Sequence, residues 1–246
     1  MRFHVPNLPH TQTNKKYSPC AYTQKVRKFC DMMTGLGHEV ILYGSVANEA
    51  KCAENVVCIT STEQKKFGYR GPDDYLNIDF NNGPIWDLYV PKVIAEIKKR
   101  IQPKDFICLI TSTPFRPIMD AFPEHLSVEF GIGYPHTMSK YRVFESYAWR
   151  NYVYGRGNED GHFFDEVIPN YFEIEDFPVV TEKDDYFLYI GRLTEKKGYQ
   201  IAQQVCKELG KRLIVAGPGE FSGYGEYVGV VGPEERARLM GHAKAV

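Results

Sequence analysis

The stretch that decides the fold is Tyr186–Gly198, with the sequence YFLYIGRLTEKKG. Its first five residues are apolar, aromatic or β-branched, as in a buried strand, and this run stops at Gly191. A threonine, two lysines and a glycine come next, and a helical pattern of apolar residues follows them. The sequence therefore predicts a strand, a turn and a helix.

The turn in this stretch is a candidate phosphate-binding site. It lies at the carboxyl end of a predicted strand, where open α/β sheets bind ligands, and the following helix offers unpaired N–H groups and the positive end of its dipole. Arg192 and Lys197 add two positive charges. A guanidinium holds phosphate oxygens through two hydrogen bonds and an ammonium acts as a point charge, so the pair suits a diphosphate. The alternative is that both are solvated surface residues.

Several segments resemble a known enzyme family. Gly191–Leu193 followed by Lys197-Gly198 resembles the start of the donor-binding domain in retaining glycosyltransferases of family 4, which have the two-domain GT-B fold. Further segments resemble one bacterial or viral branch of these enzymes, namely Val128–Tyr134, Tyr141–Trp149, Val167–Tyr171 and Leu213–Gly217. The resemblance covers nearly the whole chain and implies an α/β protein with two Rossmann-like domains on parallel sheets.

The same resemblance implies an activity. The protein would be a glycosyltransferase of the hexosyltransferase type, moving a sugar from a nucleotide-diphospho-sugar to an acceptor hydroxyl with retention of configuration. Gly191, Arg192 and Lys197 would bind the donor diphosphate, and no metal or other cofactor is expected because the two cations stabilise the leaving group. The acceptor would be a glycan, a lipid-linked sugar or another hydroxyl compound.

The second domain is predicted to be short. Strands at Leu213–Ala216 and Tyr227–Val231 and a helix from about Glu234 complete its elements. The turn Gly217–Gly219 follows one of these strands, so Gly217 and Gly219 either approach the donor or form a purely structural turn.

The sequence ends at Val246, before the two glutamates that contact the donor sugar and the ribose in resembling proteins. We therefore expect an incomplete second domain. Its unfinished sheet edge would self-associate, pair with a partner chain, or be mobile from about Tyr224 onward. The alternative to an enzyme is a non-catalytic subunit or fragment that needs a partner for the missing donor half.

The domain boundaries follow from these patterns. Residues 1–172 form the acceptor-side domain, the acidic segment 173–184 is the linker, and residues 185–246 form the donor-binding domain. Short apolar runs predict the strands of the first domain, at Phe3–Pro6, Val40–Tyr43, Val56–Ile59, Phe106–Ile110, Leu126–Phe130 and Phe163–Ile168. Helices are predicted over about sixteen residues after Ser18, at Ile85–Ile101, after Thr111 and, largely enclosed, at Ser139–Tyr154.

The loop Asn7–Ser18 after the first strand is a second functional candidate, because this turn faces the binding crevice of an open parallel sheet. Its polar residues could contact an acceptor, and they are His10, Thr11, Thr13, Asn14, Lys15 and Lys16. It lacks the paired glycines that many family members carry here. The alternative is a solvated, mobile loop.

Glu129 lies near the end of an otherwise apolar strand. A buried carboxylate must be hydrogen-bonded, paired or shifted in pKa, and such groups gather at functional sites. We therefore predict that Glu129 or His136 orients the acceptor or accepts its proton. The alternative for Glu129 is an ion pair with Arg142 or Arg150.

Bulk properties exclude several classes. The formal net charge is −1, so nucleic acid is not the expected partner. The chain has neither a long apolar run nor a secretory signal, so a cytoplasmic protein is expected, with peripheral membrane attachment left open.

The cysteines and histidines show no metal-site pattern. The six cysteines contain no Cys-x-x-Cys pair, and several lie inside apolar runs. They are therefore predicted to be reduced core residues. The seven histidines show no zinc-binding spacing, so no metal site is expected.

Overall fold

The structure, a computed structural model, describes residues 1–72, 74 and 83–246. The chain divides into two compact units, Met1–Asn170 and Tyr171–Val246. Each unit carries its own parallel sheet.

The first unit contains a seven-stranded parallel sheet in the order β3-β2-β1-β4-β5-β6-β7. Its strands are β1 Arg2–Pro6, β2 Glu39–Gly44, β3 Glu54–Val57, β4 Phe106–Leu109, β5 Leu126–Ile132, β6 Tyr141–Phe144 and β7 Glu166–Val167. The chain moves outward from β1 in one direction and then returns to begin β4 on its other side. The carboxyl ends of β1 and β4 therefore form the switch point at which open α/β sheets bind ligands.

The described helices of this unit are α1 Ala21–Gly35, α2 Ser61–Lys66, α3 Pro84–Lys98, α4 Arg116–Asp120 and α5 Tyr147–Gly157. The helix predicted after Ser18 is confirmed as α1, and its apolar residues at helical spacing face the core, with Val26 buried and Tyr22, Phe29 and Met33 packed against it. Beyond their first residues, β2 and β4 are buried, as expected where helices cover both faces of a parallel sheet.

The prediction of one enclosed helix over Ser139–Tyr154 is wrong. Tyr141–Phe144 forms β6, and α5 begins only after Ser146, whose hydroxyl accepts from the N–H of Trp149. Aromatic and β-branched residues favour a strand here, and tertiary pairing with β5 decides the outcome. The helix is not enclosed either, since Tyr147 is 64% exposed.

Three strands differ in extent from their predictions. The run predicted at Val56–Ile59 begins earlier, as β3, whereas the runs at Phe163–Ile168 and Tyr227–Val231 shrink to two-residue strands. Both two-residue strands are edge strands, so each pairs with a neighbouring strand on one side only. The six cysteines are free and five of them are buried, as predicted.

The second unit has a three-stranded parallel sheet in the order β10-β9-β8. Its strands are β8 Phe187–Ile190, β9 Leu213–Ala216 and β10 Glu226–Tyr227, and its helices are α6 Tyr199–Glu208 and α7 Pro233–His242. The strand–turn–helix predicted from Tyr186–Gly198 is confirmed. Alternate residues of β8 face two separate small cores, with Leu188 on the side of α7 and Tyr189 on the side of α6.

The last residues of the chain extend this sheet. The N–H of Leu188 donates to the carbonyl of Ala245 and the N–H of Lys244 donates to that of Tyr186, both over 2.9 Å. The outer edge of β8 is therefore paired over this short distance.

The acidic segment predicted as a linker lies within the second unit. A 3₁₀ turn at Ile174–Asp176 packs against α7, and the guanidinium of Arg236 lies over the ring of Phe177 at 5.7 Å.

A membrane-crossing helix would need a long apolar run, and none of the helices among the described residues has one.

Candidate functional site

The two predicted ligand-binding turns of the second unit lie side by side. The first turn follows β8 and spans residues 191–198, and the second turn follows β9 and spans residues 217–219. Because β8 and β9 are parallel neighbours, the turns after them emerge at the same edge of the sheet. The N–H of Gly191 donates to the carbonyl of Ala216 over 2.9 Å, and the N–H of Leu193 donates to that of Pro218 over 2.8 Å. The structure therefore brings together Gly191, Gly217 and Gly219, which the sequence predicted as separate contacts.

Glycine is required in the second turn by close backbone contact. Gly217 has φ +137°, and a Cβ there would lie 1.9 Å from the carbonyl oxygen of Gly191. Gly219 has φ +130°, and a Cβ there would lie 2.9 Å from the Cβ of Leu193. These contacts account for both glycines without a ligand, because only glycine lets the two turns pack this closely.

The first turn presents positive charge beside the start of a helix. Arg192 and Lys197 are exposed, and in the described part of the chain neither side chain has a hydrogen bond or an ion pair. A 3₁₀ turn at Glu195–Lys197 leads into α6, and Gly198 precedes that helix with φ 68°. Within the described residues no side chain caps α6. An uncapped helix start with two available cations nearby can hold an anion.

Two tyrosines contact these turns, and sequence reasoning missed both. The hydroxyl of Tyr189 donates to the carbonyls of Arg192 and Lys197, and the hydroxyl of Tyr227 donates to that of Gly217. In the sequence each tyrosine belongs to a run of apolar residues, which predicts a packing role and gives no sign of a contact with a turn. Only the three-dimensional pairing of the strands with their turns shows the contacts.

Glu129 in the first unit is fully buried in β5. Its carboxylate accepts from the hydroxyl of Tyr134 over 2.9 Å and from the N–H groups of Met138 and Ser139 over 2.8 and 3.2 Å. Burial raises the pKa of Glu129, while these N–H donors and the tyrosine act in the opposite direction. The carboxylate therefore anchors residues 133–140, the loop between β5 and β6, which we call the Glu129 loop.

The alternative prediction, an ion pair between Glu129 and Arg142 or Arg150, is not formed among the described residues. Arg142 lowers the pKa of Glu129 electrostatically, but its guanidinium pairs with Asp165 over 2.6 Å and with Glu159 over 2.7 Å. The guanidinium of Arg150 lies over the rings of two tyrosines of α5.

His136 lies on the loop that Glu129 anchors, between Tyr134 and Met138, and its side chain is exposed. The two residues therefore share one loop, but one is enclosed beneath it and the other faces outward. Among the described residues no hydrogen bond joins their side chains.

The threonines predicted to bind substrate in the first loop are buried. The hydroxyls of Thr11 and Thr23 lie 2.6 Å apart, and the hydroxyl of Thr13 accepts from the amide of Asn7 over 2.7 Å. Lys15 and Lys16 are the exposed cations of this loop, on a 3₁₀ turn that Asn14 caps.

His10, in the same loop, is also buried. Its ring lies 5.4 Å from that of Tyr69, and burial lowers the pKa of His10 to about 3. The imidazole is therefore neutral at physiological pH.

The first unit also contains a charged pair that sequence reasoning missed. The ammonium of Lys25 donates to the carbonyl of Gly131 over 2.8 Å and to Glu145 over 2.5 Å, and Asn170 donates to the same carboxylate. This pair joins α1 to the carboxyl ends of β5 and β6. Lys25 and Glu145 are 120 positions apart, so no local pattern could have paired them.

Backbone strain marks the end of β4 at the switch point. Thr111 has φ 74° and Ser112 has φ 61°, a region that non-glycine residues seldom enter. The N–H of Thr111 donates to the hydroxyl of Tyr134 over 3.1 Å, and that hydroxyl donates to Glu129. The strained turn and the Glu129 loop thus belong to one network, and strain of this kind gathers at functional sites.

Within the described residues, no three His, Cys, Asp or Glu side chains cluster so that they could ligate a metal ion.

Comparisons with known proteins identify the fold. No family model and no curated protein sequence matches the chain. Among solved structures, the glycosyltransferase AviGT4, involved in avilamycin A biosynthesis, matches with a TM-score of 0.61 and 18% identity over 98% of this chain and 67% of its own. Sucrose-phosphate synthase from Thermosynechococcus elongatus matches with a TM-score of 0.60 and 11% identity over 98% of this chain and 73% of its own. The predicted α/β fold of the GT-B type is confirmed.

Proposed function

We propose that this protein is a retaining glycosyltransferase that moves a hexosyl unit from a nucleotide-diphospho-sugar to an acceptor hydroxyl. One observation carries the proposal: the paired turns at the carboxyl edge of the second sheet, with Arg192 and Lys197 exposed beside the uncapped start of α6. The fold likeness to a glycosyltransferase and to sucrose-phosphate synthase supports it. Retention rests on the resemblance of the motif around Gly191 to family 4.

The proposed role of the turns is to stabilise the leaving group. As the bond between the sugar and the diphosphate breaks, negative charge develops on the departing oxygens. The side chains of Arg192 and Lys197 and the N–H groups at the start of α6 would meet that charge. The close packing of Gly217 and Gly219 against the first turn forms part of this geometry before the ligand binds, which reduces the reorganisation needed.

A bound metal is not part of the proposal, because the two side-chain cations would supply the positive charge next to the diphosphate. We expect chelator treatment to leave nucleotide affinity unchanged. A chelator-dependent loss of affinity would assign part of the diphosphate binding to a metal.

The acceptor side is assigned to the first unit. His136 is exposed on the loop after β5 and would contact an acceptor hydroxyl, with Glu129 holding that loop from beneath. Thr11 and Thr13 would act in the same indirect way, because their bonds to Thr23 and Asn7 fix the loop after β1.

The test is binding followed by product analysis. UDP, GDP and ADP, and their hexose derivatives, are titrated calorimetrically into the full chain. A nucleotide sugar that binds is then incubated with a panel of glycan and lipid-linked acceptors, and the anomeric configuration of any product is read by NMR. Binding of one nucleotide with transfer that retains configuration is expected. Inverted product would contradict the retaining assignment, and no binding by any nucleotide at millimolar concentration would contradict the function.

A further inference from the structure

Tyr189 holds the two ends of the first turn. It lies in β8, on the face covered by α6, and its ring is 6.1 Å from that of Tyr199. Its hydroxyl is 3.0 Å from the carbonyl oxygen of Arg192 and 3.4 Å from that of Lys197. One side chain therefore ties the backbone at both proposed phosphate-binding cations to the strand before them.

Tyr227 holds the second turn from the other edge strand of the sheet. It lies in β10, and its hydroxyl is 2.8 Å from the carbonyl oxygen of Gly217 and 3.5 Å from that of Gly219. Its ring stacks on Phe221 at 5.1 Å with an angle of 9° between the planes. The stacking limits where the hydroxyl can lie.

Hydroxyl contacts of this kind matter most where the backbone is otherwise free to move. The second turn contains two glycines, which have the widest conformational freedom of any residue. The first turn carries long cationic side chains, whose usefulness depends on where their backbone is held. Burial raises the pKa of Tyr189, so its hydroxyl remains a protonated donor at neutral pH.

We propose that Tyr189 and Tyr227 are positioning residues of the diphosphate site, each acting through main-chain carbonyls of the turn that it contacts. The inference rests on the proposed function, because it assumes that the turns bind the diphosphate. Neither side chain need touch the ligand. Their hydroxyls fix the turns before binding, so that the ligand does not have to order them.

The test removes one hydroxyl at a time. Tyr189→Phe and Tyr227→Phe are compared with Tyr186→Phe, because the hydroxyl of Tyr186 donates to the carbonyl of Leu239 over 2.8 Å in the same unit but on the side of α7. Affinity for UDP, GDP and ADP, and for pyrophosphate as a probe without a base, is measured by calorimetry. Stability is measured by denaturant unfolding of the same samples.

Both positioning variants are expected to lose about three- to tenfold in affinity, the range of one neutral hydrogen bond. Tyr186→Phe is expected to keep its affinity within about twofold, although its free energy of unfolding should fall by about as much as in the two positioning variants. A loss of affinity in all three variants in proportion to their loss of stability would overturn the proposal.

A double variant separates positioning from general weakening. If Tyr189 acts by placing Arg192, the effect of Tyr189→Phe on affinity is expected to shrink in an Arg192→Ala background. Full additivity would contradict the assignment for Tyr189.

If the unmodified protein binds nucleotides but neither Tyr189→Phe nor Tyr227→Phe differs from Tyr186→Phe, this inference fails and the proposed function stands. If the unmodified protein binds no diphosphate, both fail.

Discussion

The carboxyl edges of the two sheets use polar residues in opposite ways. In the first unit, Thr11, Thr13 and Glu129 are buried and bond to the protein itself. In the second, Arg192 and Lys197 are exposed, and their side chains have no partner among the described residues. A buried polar group must be satisfied internally, whereas an exposed cation stays available to a ligand. Substitution of these buried polar residues at the first edge should therefore change stability, and substitution of the two exposed cations at the second edge should change binding.

The largest effect is expected for Glu129→Ala. The substitution leaves the hydroxyl of Tyr134 and the N–H groups of Met138 and Ser139 without their acceptor, which should reduce the free energy of unfolding by about 3–5 kcal/mol. Glu124→Ala, at an exposed position on the turn before β5, should change it by no more than about 0.5 kcal/mol. Equal unfolding curves for the two variants would break the contrast between the edges.

Gly217→Ala should destabilise the second unit. The new Cβ would meet the carbonyl oxygen of Gly191 at 1.9 Å in a backbone region that alanine disfavours. A loss of about 2–4 kcal/mol is expected, measured by hydrogen exchange in β8 and β9. Gly210→Ala is the matched control, because its φ is also positive but nothing lies within 4 Å of its Cβ. It should lose only about 1 kcal/mol, and a similar loss in both variants would show that the turns do not pack as described.

Arg192→Ala and Lys197→Ala should each weaken nucleoside-diphosphate binding by about 1.5–3 kcal/mol, the range of hydrogen bonds to charged groups. Their unfolding curves should stay unchanged, because both side chains are exposed. Lys207→Ala, at the far end of α6, removes the same charge and should bind normally. Equal affinity in all three variants would place the diphosphate elsewhere.

The stability of the first unit should depend on pH through His10. Its pKa falls from 6.5 to about 3 on folding, because burial disfavours the charged ring. This contribution to stability is complete above pH 6.5 and declines as the pH drops toward 3. Lowering the pH from 6.5 to 5 should remove about 2 kcal/mol, and His10→Gln should lack this component in denaturant unfolding. Identical pH dependence in the two proteins would contradict it.

Local patterns in the sequence were enough to predict most elements that place the site. The apolar run before Gly191 and the cationic residues after it indicate strand, turn and helix without reference to the rest of the chain. The face of α1 could be predicted because apolar residues recur at helical spacing. Both are properties of consecutive residues.

Contacts between distant residues could not be predicted in the same way. The pairing of Lys25 with Glu145 depends on strand order, and the strain at Thr111 depends on how the turn packs. The aromatic run at Tyr141–Phe144 has no period that separates strand from helix, and the pairing with β5 decides it. Local sequence therefore predicts where a turn lies more readily than what holds it.

Hydrogen exchange with and without nucleotide tests the central claim most directly. The full chain is exchanged alone and with saturating UDP, GDP or ADP, whichever binds. We predict new protection at Gly191–Tyr199 and Gly217–Gly219, with little change at the Glu129 loop. Protection confined to the first unit, or binding that leaves both turns unprotected, would contradict the assignment of the diphosphate site to the second sheet.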